Sequence, residues 1–218
     1  MGLQGQGALR LEERQEPRRS HRRRVQQRLA RRQALSRVLD HLVVAARTLE
    51  EGARWIHAKL GADCVPGGKH EAMGTHNVLL SLGAESYLEV IAIDPGAPAP
   101  SRPRWFALDA PQTQARLASG PALLHWMERT DDLEAEVAAY PAQVRIEPFT
   151  RGAFRWRLAL TPDGSLPGQG SLPTLIQWQS AHPCTVLPDT GIRLAGFRPG
   201  GGTLSAAFST PSGMRTIP

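Results

Sequence analysis

Residues 39–45, LDHLVVA, form a short apolar run rich in valine, which suits a strand over about 38–45. The spacing then predicts a helix over 49–60. Leu49, Ala53, Ile56 and Leu60 recur on one stripe, Glu50, Glu51, Arg54 and Lys59 lie elsewhere, and Gly61 is a natural stop. PGGKHEAMGTHN reads as a glycine-rich loop with at most a short strand. NVLLSLG and ESYLEVIAID read as two further strands, the second ending at Asp94-Pro95. GAPAPSRPRW reads as a proline-rich connector.

The pattern then recurs. LLHWMERTDDLEAEVAAY is again a strand containing a histidine, followed by a helix with Leu133 and Val137 on one stripe. With Leu133 set against Leu49, His125 falls on His41, each histidine preceding its leucine by eight residues. VRIEPFTR and FRWRLALTPDG read as a strand pair. PTLIQWQS is the counterpart of SYLEVIAI, with Gln177 falling on Glu89. This is an internal repeat of a β-α-β-β-β unit. The predicted architecture is α+β: a first module over 38–110 and a second over 111–218. Residues 192–198 and 203–208 add closing strands.

Charge changes the picture at one end only. Residues 1–37 hold 11 arginines against 3 acidic residues, whereas the remaining 181 hold 15 basic and 17 acidic ones. The net charge of +6 therefore belongs to the first segment, which reads as a disordered extension, and the body is almost neutral. Contact with nucleic acid or a membrane surface is expected only through that segment. No apolar run is long enough for a transmembrane helix, and no apolar core of a signal peptide is visible. Cys64 and Cys184 lie far apart and form no C-x-x-C pair, so reduced thiols in a cytoplasmic protein are expected.

Strand alternation turns the repeat into a candidate site. If Leu42 and Val44 face the helix layer, then His41, Val43 and Ala45 face the other way. By the same reasoning Leu88 and Val90 face the helices, leaving Tyr87, Glu89 and Ile91 opposite. His41 and Glu89 thus share a face, as do His125 and Gln177 by the repeat. Two sheets curved around one cavity would bring the four together. Burying Glu89 alone is costly. A divalent metal resolves that cost, since imidazole and carboxylate are suitable ligands.

DHLVVAARTLEEG, followed by PGGKHEAMGTHNVLLSLGAESYLEVIAID, resembles glyoxalase-like members of the vicinal oxygen chelate superfamily. LLHWMERTDDLEA, PTLIQWQSAHP and AAFSTPSGM are similar to the same branch, so the resemblance spans about 38–217. It implies paired β-α-β-β-β modules forming a cupped mixed sheet with helices outside. It also implies metal ligands from the first and last strand of each module: His41, Glu89, His125 and Gln177. The metal would be Zn, Ni, Co, Mn or Fe. Gln177 departs from the pattern, because a carboxylate there can act as base and glutamine cannot. Glu89 is left as the catalytic carboxylate.

His70, Thr75, His76 and Asn77 lie in and after the glycine-rich loop. His70, Thr75 and Asn77 are candidate substrate contacts, although the glycines equally suit a plain turn. His182 reads as a loop residue, Trp126 and Trp178 as core, and Asp131 and Asp132 as helix caps. The function expected first is a divalent-metal-dependent lyase or isomerase on a small oxygenated substrate. A non-haem iron dioxygenase and a metal-free small-molecule binding or resistance protein are the alternatives. A homodimer is compatible with either.

Overall fold

The computed structural model describes residues 37–200 and 204–218. The expectation for the basic segment lies outside these residues, Arg37 aside. The described chain runs β1 (Val38–Ala45), α1 (Leu49–Leu60), β2 (Val65–His70), β3 (Thr75–Ser81), β4 (Tyr87–Ile93), α2 (Pro111–Ala118), β5 (Ala122–Arg129) and α3 (Leu133–Val137). It continues through β6 (Arg145–Arg151), β7 (Phe154–Leu160), β8 (Thr174–Trp178), β9 (Arg193–Arg198), β10 (Ser205–Thr210) and β11 (Gly213–Ile217). The fold is α+β, with β-α-β-β-β units as the pattern predicts.

Eight strands form one mixed sheet in the order β2-β3-β4-β1-β5-β8-β7-β6. The antiparallel pair β1 and β5 stands at its centre, and β1 with β4 and β5 with β8 are parallel. The sheet curls into a cup until its edge strands β2 and β6 approach each other. At that approach Gly68 lies against Arg151. Its φ is +141°, and a Cβ there would sit 2.9 Å from the arginine Cδ, so only glycine leaves room for the arginine stem.

The outer face of the first half packs under α1. Thr48 caps this helix by accepting the Glu51 amide at 3.1 Å, and Gly61 ends it in the left-handed conformation. Leu42, Val44, Leu88 and Val90 meet Ile56 and Leu60 of α1 and Phe208 and Ile217 of a small sheet, β9-β10-β11. Gly52 lets the helix sit close, since a Cβ there would lie 2.3 Å from a Val90 methyl. Over the second half Leu133 of α3 packs on Ala159 and Leu175.

Four features depart from expectation. β2 runs over six residues where the glycine-rich stretch suggests at most a short strand, because an edge strand tolerates Pro66 and a bulge at Pro66–Gly68. α2 was not foreseen; Pro111 starts it. The segment after the connector is no mere spacer. Trp105, Phe106, Leu108 and Leu117 enter the inner face of the cup and pack with Val43, Met127, Leu158 and Ile176. A third closing strand, β11, also appears beyond the two expected.

Candidate functional site

The inner face of the cup holds a cavity of about 20 Å3, the room of roughly one water. His41, Glu89, Tyr87 and His70 line one side, and Met127, Ile176, Trp178, Trp156 and Arg151 the other, with Trp105 and Phe106 over it. His70, Arg151 and Trp156 also line an outer groove of about 430 Å3 between β2 and β6. A larger concavity, about 1020 Å3, lies near α2 and residues 161–169. Asp163 is its one ionisable lining residue, so size does not mark the chemistry.

The center of the site is a run of bonded charges. A bulge in β1 between Leu39 and His41 breaks the strict alternation. It lets the Asp40 carboxylate reach its own neighbour: His41 Nδ1 lies 2.6 Å from Asp40 Oδ1. Trp178 Nε1 donates to the other oxygen at 2.9 Å, and His182 Nε2 lies 3.1 Å from it. On its far side, His41 Nε2 stands 3.6 Å from Glu89 Oε2. Tyr87 stacks on the His41 ring at 4.4 Å. Glu89 also accepts from Asn77 Nδ2.

Burial opposes the charge on each of these groups, and the bonds override it. Burial is the largest influence on His41, but the hydrogen bond to Asp40 and the Glu89 carboxylate beside the ring raise its pKa to about 9. Burial likewise works against Glu89, yet His41 and Asn77 hold its pKa down at about 2. Asp40 is buried too, and His182 and His41 keep its carboxyl well below the usual carboxylate range. At neutral pH the group is thus carboxylate, imidazolium, carboxylate. His70 differs. Burial, with Glu89 partly opposing it, lowers its pKa to about 4, so it is neutral. Arg151 Nη1 and Asn77 Nδ2 both donate toward its Nε2, at 3.2 and 3.5 Å, which leaves Nδ1–H to face Thr75 Oγ1 at 3.1 Å.

His41 and Glu89 therefore meet, and His70, Thr75 and Asn77 join them through hydrogen bonds. His125 does not reach the cavity. It shares the inner face but sits opposite Val43, while Met127 stands opposite His41. The ring is fully buried near Phe106, and its Nε2 accepts the Thr174 amide at 3.1 Å. Burial lowers its pKa to about 3. Gln177 lies on the outer face, bonded to Arg157 and to the Asp131 carbonyl. Its neighbours Ile176 and Trp178 turn inward. Trp178 is thus a wall of the site and not only core.

These residues do not fit a divalent metal. Imidazole and carboxylate are suitable donors, but only His41 and Glu89 face one another. Among the described residues no three His, Cys, Asp or Glu side chains are grouped to hold an ion. Met127 and Ile176 line the facing wall without an oxygen or nitrogen donor, and the guanidinium of Arg151 adds positive charge to the same cavity.

Asp40, His182 and Arg151 are members that pattern reading missed. The signal for Asp40 was there, an acid inside an apolar strand beside a histidine. His182 was noted, but as a loop residue. Nothing in the local pattern of β6 distinguishes Arg151 from the other arginines nearby.

Residues 39–206 match the family model described as a glyoxalase-like domain. No curated protein matches the sequence. Among solved structures, methylmalonyl-CoA epimerase from Mycobacterium tuberculosis is 19% identical over 66% of this chain and 87% of its own, with a TM-score of 0.44. A hypothetical protein from Staphylococcus aureus is 13% identical over 79% of this chain and 81% of its own, with a TM-score of 0.48.

Proposed function

The chain belongs to the glyoxalase-like domain family of the vicinal oxygen chelate superfamily, and from that premise we propose that it is a lyase or isomerase that moves a proton on a small oxygenated molecule without a metal. One observation carries this reading: the ion-paired series Glu89, His41, Asp40, His182 runs from the cavity to a partly exposed ring, with side-chain exposures of 8%, 4%, 0% and 18%. Buried charges in such number are expensive, and an apolar wall is the cheaper way to build a passive cup.

The chemistry follows from the two charge states. Glu89 is ionised and accepts the proton of a C–H bond next to a carbonyl. His41 is protonated and donates to the carbonyl oxygen as that oxygen gains charge. The C–H pair of electrons moves into the new carbon–carbon double bond, and the carbonyl pair moves onto oxygen. Return of the proton to the same or a neighbouring carbon completes an isomerisation; departure of a β-substituent completes an elimination. A substrate oxygen between His41 and Glu89 separates the pair and makes Glu89 a stronger base than it is at rest. Asp40 fixes the imidazole, and His182 links it toward solvent.

A metal-dependent version, or a non-haem iron dioxygenase, needs at least a third protein donor beside His41 and Glu89. The donor set favours the metal-free form. The test is deuterium incorporation in D2O, followed by NMR over a panel of small 2-oxo acids and hydroxy ketones with a chelator present. The wild type should label at least one compound, and Glu89→Gln should slow labelling by about a hundredfold or more. Labelling that survives Glu89→Gln, or that requires an added metal, contradicts the proposal. Binding of a panel member with no labelling favours the metal-free binding protein instead.

A further inference from the structure

We infer that Arg151, at the junction of the inner cavity and the groove between edge strands β2 and β6, is a carboxylate subsite for the molecule bound in the cup. The inference rests on the cup as the binding site. It adds the chemical class of the ligand, a small monocarboxylic acid such as a 2-oxo acid.

Arg151 lines both concavities, yet it forms no ion pair among the described residues. The contrast with its surroundings is informative. Arg102 pairs with Glu147 of the same strand, Lys69 pairs with Asp94 at 2.8 Å, and Arg157 pairs with Glu134. The groove does hold a carboxylate, Glu71, but it is exposed and makes no ion pair with Arg151.

The guanidinium is nonetheless held in place. Its Nη1 donates to the neutral acceptor His70 Nε2 at 3.2 Å. Its carbon lies 5.8 Å from the Trp156 ring centroid and 5.7 Å from that of Phe154, a cation–π arrangement. Gly68 makes room for its stem. Its Nε is buried without a hydrogen-bond partner. Among the described residues no hydrogen bond engages its Nη2 either, and a positioned, half-buried guanidinium with that donor unused is suited to a carboxylate.

Charge and size narrow the class. Arg151 supplies one free positive charge and Lys69 is engaged by Asp94, so a monoanion fits better than a phosphate dianion. The inner cavity has the room of about one water, so only the reacting end of a ligand enters it. The carboxylate remains at the junction.

The probe is pyruvate, with methyl pyruvate as its neutral counterpart and inorganic phosphate as a second anion, titrated at low salt by NMR. Wild type should bind pyruvate about tenfold or more tightly than methyl pyruvate. Arg151→Met should erase that preference, and Arg151→Lys should keep part of it. Melting curves verify that the variants fold; Arg151→Gln replaces Arg151→Met if the latter does not. Equal binding of pyruvate and its ester, no binding of pyruvate, or an unaltered preference in Arg151→Met overturns the inference. Phosphate binding as tight as pyruvate overturns the carboxylate assignment. The proton-transfer reading fails separately: pyruvate then binds through Arg151 but gains no deuterium.

Discussion

Asp40 is a fully buried carboxylate with three partners, and it decides the state of His41. Asp40→Leu leaves His41, Trp178 and His182 without their acceptor and should destabilise the protein by about 3–5 kcal/mol. The same group sets the pH dependence of stability. Asp40 and Glu89 have depressed pKa values, so their contribution is present above the unfolded carboxylate range and fades as pH falls toward about 2. His41 has a raised one, so its contribution is full below about 6.5 and is lost as pH rises through about 9. His70 and His125, buried neutral with lowered pKa values, lose stability as pH falls below about 6.5, so urea unfolding should show greatest stability near that pH, and His41→Gln should flatten the alkaline fall. An alkaline limb that is unchanged in His41→Gln contradicts this. Alternation was enough to put His41 and Glu89 on one face. It could not place Asp40, because a bulge is a local exception to the period of two. Gln177 shows the other limit: Glu89 pairs with Val43 and Thr174 with Met127, so the alignment of the two copies slips by an odd number of residues, which moves a side chain to the opposite face.

At the scale of elements, α1 was legible from its stripe, its acidic first turn and Gly61, all of which agree with the observed helix. Its seat on the sheet depends on Gly52. Gly52→Ala should cost about 1–3 kcal/mol, since the new methyl meets Val90 and Ala46 in a packed layer; a melting temperature equal to wild type contradicts that packing. β2 was legible only as a short strand, and the Trp105–Phe106 turn was not legible. β2 owes its strand to the ladder with β3 and not to its own composition. Phe106 and Ala107 take positive φ values of 57° and 52°, a conformation that no local signal predicts for a bulky residue. Phe106 holds it because its ring fills the cup over His125. Phe106→Ala should lower stability by about 3–5 kcal/mol through the void left behind. The same void should admit bulkier carboxylates, measured by the titration used for pyruvate.

At the scale of the molecule, the repeat announced two four-stranded modules; they join in one eight-stranded sheet, and curling of that sheet is what brings distant residues together. Glu89 on β4, Trp178 on β8 and Arg151 on β6 meet around His41 only because β1 and β5 pair at the centre and the edges nearly close. No helix among the described residues is long and apolar enough to cross a membrane. In the sequence the basic charge is concentrated in residues 1–37, and the remaining residues are near neutral. The division into modules at about residue 110 remains a proposal. The most direct test of the account is the protonation state of His41, read by 15N NMR of histidine-labelled protein with a chelator present. The account predicts an imidazolium that persists to about pH 9 in wild type and titrates markedly lower in Asp40→Asn. An imidazole that is already neutral at pH 7, or one whose signals move only when a divalent metal is added, contradicts it.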